Sequence, residues 1–70
     1  MSTHSELIEK AKQLLADNFG TYLSTEYAKF YDEKEDEQIF ISVEALLTEA
    51  LGSEPAKVQL KKYKIYQYEK

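Results

Sequence analysis

The chain has 70 residues, no cysteine, one histidine and a net charge of −4. A chain this short buries a small share of its surface, so it forms one domain at most, and it has neither a disulfide nor a Cys/His cluster for a structural metal to support it. The mean acidic field repels nucleic acid and anionic lipid from the molecule as a whole. No apolar leader follows Met1 and no apolar run approaches the length of a membrane span, so the expectation is a cytoplasmic protein. A partner subunit is the remaining common support for a small core, which adds weight to self-association.

The charge is unevenly spread. Residues 1–54 carry Lys10, Lys12, Lys29 and Lys34 against twelve acids, a net −8, whereas residues 55–70 carry five lysines against Glu69 alone, a net +4. The chain is an acidic body with a basic end.

In chain order, Thr3 or Ser5 can cap a first helix, and Thr3 with Glu6 has the spacing of a capping box. Leu7, Ile8, Ala11, Leu14, Leu15 and Phe19 then recur at helical intervals, predicting a helix from about Ser5 to Asn18 that Gly20 closes. Leu23, Tyr27, Phe30 and Tyr31 predict a shorter second helix, from about Tyr22 to Tyr31. The acidic run Asp32 to Glu37 leads into a third helix with Asp36 as its cap, because carboxylates favour the exposed amides of a helix start. Ser42 is the competing start. Ile39, Val43, Leu46, Leu47, Ala50 and Leu51 line one face of that helix, and Gly52 ends it. Ser53 or Glu54 can cap a fourth helix with Pro55 in its first turn and Ala56, Leu60 and Tyr63 on one face. Beyond Tyr63 periodicity fades.

The expected fold is therefore an all-α bundle of three to four short helices spanning residues 1–70, with residues 1–4 and 65–70 disordered or extended. Its core is Leu7, Ile8, Ala11, Leu14, Leu15, Ile39, Val43, Leu46, Leu47 and Leu51. The competing architecture is α+β, with a hairpin around residues 27–43 in which Ile39, Ile41 and Val43 share a strand face. No internal repeat, Gly/Ser linker or second domain is legible.

Chemistry has little to draw on. A calcium loop beginning at Asp32 would place Lys34 third and Glu37 sixth, where an acid and a glycine belong, so the acidic run reads as a solvated helix start. His4 lies among the first few residues with no second histidine or cysteine, and reads as an ordinary exposed side chain. A short helical chain also has little volume for a substrate cleft. The expectation is a non-enzyme with no cofactor, no metal and no small-molecule substrate.

Six tyrosines are many for this length. Tyr27 and Tyr31 fit the core with their hydroxyls at its rim, whereas Tyr66 and Tyr68 project from the basic end with little left to pack on and, with Tyr63, are the interface candidates.

The string from Leu47 to Lys64 resembles a helix-turn-helix unit, with Ala50 or Thr48 as the small residue, Gly52 in the turn and Val58 as the apolar anchor of the second helix. The resemblance covers about a quarter of the chain. It implies that Lys57, Gln59, Lys61, Lys62 and Lys64 would face DNA. The string departs from the pattern where Lys61 and Lys62 replace a further apolar anchor and where Leu60 takes a position that is commonly polar. Two functions follow: a non-catalytic module that binds another protein or itself, and, as the alternative, a helix-turn-helix DNA-binding protein using residues 55–64. Neither involves a membrane.

Overall fold

The computed structural model describes residues 4–65. Four helices follow one another, α1 (His4–Phe19), α2 (Thr21–Tyr31), α3 (Asp36–Leu51) and α4 (Ser53–Lys62), with no strand among the described residues. The small all-α bundle is the architecture, and the hairpin around residues 27–43 does not form. Register decides this: Ile39 and Val43 are fully buried while Ile41 between them is 53% exposed, the split a helix makes and a strand does not.

Each helix-to-helix connection inside the two pairs is a single glycine. The Gly20 amide donates to the Ala16 carbonyl at 3.0 Å, and the Gly20 carbonyl accepts from Ser24 at 3.2 Å. Gly52 does the same with Thr48 (2.9 Å) and Ala56 (3.1 Å). One residue thus closes a helix and opens the next, at φ 102°, ψ 158° for Gly20 and φ 98°, ψ 163° for Gly52. Only glycine adopts that region cheaply, because a Cβ there crowds the backbone. Ser53 is consequently the first residue of α4, not its cap, and Asp36 is the first residue of α3 behind Glu35.

α4 ends differently. Ile65 N–H donates to the Leu60 carbonyl at 2.9 Å and Lys64 N–H to the Lys61 carbonyl at 3.0 Å, the paired bonds of a Schellman motif, with Lys64 at φ 59°. A lysine in this left-handed position is held there by the apolar contact the motif brings, since Leu60 and Ile65 are both buried. Ile65, expected within an extended or disordered end, is 2% exposed and belongs to the core.

The core comprises Ala11, Leu14 and Leu15 of α1, Tyr31 of α2, Ile39, Phe40, Val43 and Leu47 of α3, Ala56 and Leu60 of α4, and Ile65. Leu7, Ile8 and Leu46 pack against it partly buried, while Leu51 is 42% exposed and is not a core residue. Leu51 is the last residue of α3, where no following turn is left to cover it. Phe40 and Leu60 join because each falls on the inward arc of its helix beside residues already buried, Phe40 near Val43 and Leu47, Leu60 one turn after Ala56. Buried polar groups are satisfied: Ser24 Oγ donates to the Thr21 carbonyl at 3.1 Å, and the Tyr31 hydroxyl meets Ser42 Oγ at 2.8 Å.

A repeat emerges that residue identities conceal. α1 and α3 are both 16 residues long, each is followed by a glycine at positive φ, and α2 and α4 are 11 and 10 residues long. The register is 32 residues, placing His4 on Asp36, Ala11 on Val43, Leu15 on Leu47, Gly20 on Gly52, Ser24 on Ala56 and Tyr31 on Tyr63. The inward residues and the turn are repeated while the outward residues are not, so little identity survives to mark it.

Candidate functional site

α4 lies in the bundle by one face. Ala56 and Leu60 are buried, Gln59 Oε1 accepts from Asn18 Nδ2 at 3.3 Å, and the Tyr63 hydroxyl donates to the Asp17 carboxylate. Lys10 Nζ completes the seam by donating to the Lys64 carbonyl at 3.4 Å. These contacts tie α4 to α1. Asp17 also holds the Tyr63 phenol above its ordinary pKa, because ionisation would set a phenolate against the carboxylate it now bonds.

The opposite face is open. Val58 is 62% exposed and stands between Lys57, Lys61 and Lys62, all exposed, with Glu54 at the helix start. Lys57 is 4.0 Å from Glu54, Lys62 lies 5.6 Å from the Tyr63 ring, and Lys61 has no partner among the described residues. A helix turned outward this way offers one branched apolar side chain ringed by cations.

The residues singled out by sequence are thus divided. Lys57, Lys61 and Lys62 share the open face. Gln59 and Tyr63 are turned inward and serve the α1 seam, and Lys64 sits in the turn after α4. Tyr66 and Tyr68 lie outside the described residues. Val58 is not the anchor that the helix-turn-helix resemblance requires, and Leu60, which that template leaves outside, is the anchor instead. The signal was present: Ala56, Leu60 and Tyr63 define one face of α4, and Val58, two residues from both Ala56 and Leu60, falls off it.

A second exposed apolar pair, which no local motif marks, spans α2 and α3. Phe30 of α2 is 52% exposed and Ile41 of α3 is 53% exposed, and with Lys34, Gln38 and Ser42 they line a shallow groove of about 480 Å³. Phe30 had the spacing of an inward residue, but Tyr31 beside it takes the buried place. Lys34 Nζ lies 4.7 Å from the centre of the Phe30 ring. Ile41 is two residues from Ile39 and from Val43, both buried, which already places it on the outer side of a helix.

His4 is not an untethered histidine. It begins α1, and its Nδ1 lies 2.7 Å from Asp36 Oδ1, joining the starts of α1 and α3. That hydrogen bond raises the imidazole pKa above its ordinary 6.5 against the opposing effect of desolvation, with lesser help from Asp32.

Among the described residues no group of three or more His, Cys, Asp or Glu side chains is placed to hold a metal ion, and no helix is long and apolar enough to cross a membrane. Compared with protein-family models, curated proteins and solved structures, the chain matches none of them.

Proposed function

We propose that this chain is a non-catalytic, cytoplasmic interaction module that binds an acidic protein segment on the outward face of α4. The observation that carries the reading is Val58, exposed in the middle of Lys57, Lys61 and Lys62. An apolar side chain supplies desolvation energy at the centre of a contact, and the surrounding cations select a partner of opposite sign and steer it in. The α1 seam supports the same division of labour, because Gln59 and Tyr63 fix α4 and leave the other face without a structural task.

The second reading, a DNA-binding helix-turn-helix, draws on the same exposed lysines following Gly52. Gln59, its best base-reading side chain, is engaged with Asn18, and Glu54 stands at the helix start where phosphate would approach. Titration of the full chain with a labelled amphipathic peptide of glutamates and leucines, and separately with duplex DNA, decides between them. The proposal expects peptide binding that weakens with salt and is lost in Val58→Asp. Duplex binding with a steep salt dependence, abolished by replacing Lys57, Lys61 and Lys62 together and indifferent to Val58→Ala, would establish the DNA reading instead.

A further inference from the structure

The outward faces of α3 and α4 have the same layout with opposite charge. On α3, Ile41 is exposed and flanked one turn away on either side by Glu37 and Glu44, neither of which has an ion-pair partner among the described residues. On α4, Val58 is exposed among lysines. Ile41 also forms one wall of the shallow groove closed on its other side by Phe30, while Glu37 and Glu44 stand beside Ile41 outside the groove lining. The groove and the α4 face share no residue, so they are separate surfaces of one molecule.

Resting on the reading of α4 as the binding face, we infer that the acidic partner is a second copy of this chain: Val58 of one copy seats between Phe30 and Ile41 of another, with Lys57, Lys61 and Lys62 set against Glu37 and Glu44. The charge separation along the sequence, −8 over residues 1–54 and +4 over residues 55–70, gives each copy both halves of the contact. Lys34 is the one cation lining the groove, and the run from Asp32 to Glu37 in which it stands carries five acids, of which Asp36 is engaged with His4. Seating Val58 displaces Lys34 from the Phe30 ring, an exchange of one weak exposed contact for an apolar one. A reciprocal contact closes a twofold dimer, and a one-way contact adds copies head to tail. In either case burial of Val58, Ile41 and Phe30 adds apolar contact that a small core lacks by itself.

Sedimentation velocity of the full chain over a rising concentration series tests the inference. At an ionic strength of about 20 mM the mass is expected to rise above the 8.2 kDa of one chain, and to fall back at about 500 mM, where the Debye length shrinks below the reach of surface charges. Val58→Asp and Ile41→Asp each change an exposed position, so circular dichroism should remain helical while self-association weakens by about tenfold or more. A charge-swap mixture supplies the specific signature. Chains carrying Lys57→Glu, Lys61→Glu and Lys62→Glu, and chains carrying Glu37→Lys and Glu44→Lys, should each be monomeric alone and should associate with one another when mixed. A monomer at every concentration, or full association in Ile41→Asp, overturns the inference. If the labelled acidic peptide still binds to such a monomer, the α4 face stands and its partner is another protein; if the peptide also fails to bind, both readings fall.

Discussion

The hairpin of α1 and α2 and the hairpin of α3 and α4 bury corresponding residues and expose different ones. Ala11 and Val43, Leu15 and Leu47, and Ser24 and Ala56 are all within 1% of full burial. On the outside the correspondence breaks: Ile41 and Val58 stand where the first hairpin has Glu9 and Glu26, while the exposed Tyr22 and Phe30 stand where the second has Glu54 and Lys62. Packing constrains volume and tolerates few alternatives, whereas a solvated position accepts nearly any side chain. Inward agreement therefore reports the fold, and outward disagreement marks where the two halves differ in what they can touch.

The sharpest way to break this comparison is in the core. Leu15→Ala and Leu47→Ala each remove a fully buried side chain and are expected to cost about 2–5 kcal/mol, measured by urea unfolding. If one costs less than about 1 kcal/mol, the halves are not structurally equivalent. The turns come next. Gly20→Ala finds open space around its Cβ and Gly52→Ala meets only Pro55 Cδ at 3.8 Å, so any loss reports backbone conformation alone. Each is expected to cost about 1–3 kcal/mol in the same measurement.

Tyr31 and Tyr63 sharpen the comparison, since equivalent positions have unlike surroundings. Tyr31→Phe strips the partner from Ser42 inside the bundle and is expected to cost about 1–2 kcal/mol; Tyr63→Phe loses a bond at an exposed seam and should stay within about 0.5 kcal/mol. Equal losses would contradict the burial difference. The smallest effect concerns His4 and Asp36, which occupy the same position in the two halves. Because the folded-state pKa of His4 is raised, its contribution is complete below about pH 6.5 and is lost as pH rises through the higher folded value. The thermal midpoint should therefore decline slightly above that pH, and His4→Gln should flatten the decline.

Much of the fold was legible because the signals were local. Heptad-like spacing located α1 and α3, the glycines marked both tight turns, and Pro55 fixed the first turn of α4. Errors arose where two rules competed for one residue. The helix-turn-helix template claimed Val58 while the register of Ala56 and Leu60 excluded it, and the bundle obeyed the register. Nearness to the chain start predicts an untethered His4, but Asp36 lies 32 residues away in sequence and only folding brings the two together. The open α4 face is half visible in the sequence: its lysines stand out as a charge run, yet Gln59 groups with them there, and only its contact to Asn18 of α1 separates it.

By itself the sequence determined which segments are helices, where they break, and which stripe of each is apolar, since these depend on spacing and on the backbone freedom of single residues. Only the tertiary structure decided that Phe40 and Ile65 are core, that Leu51 and Phe30 are surface, and that two unlike stretches form one repeated hairpin. A residue's place inside or outside depends on which neighbouring helix covers its arc, and that covering is a property of packing between distant segments, which no local pattern carries.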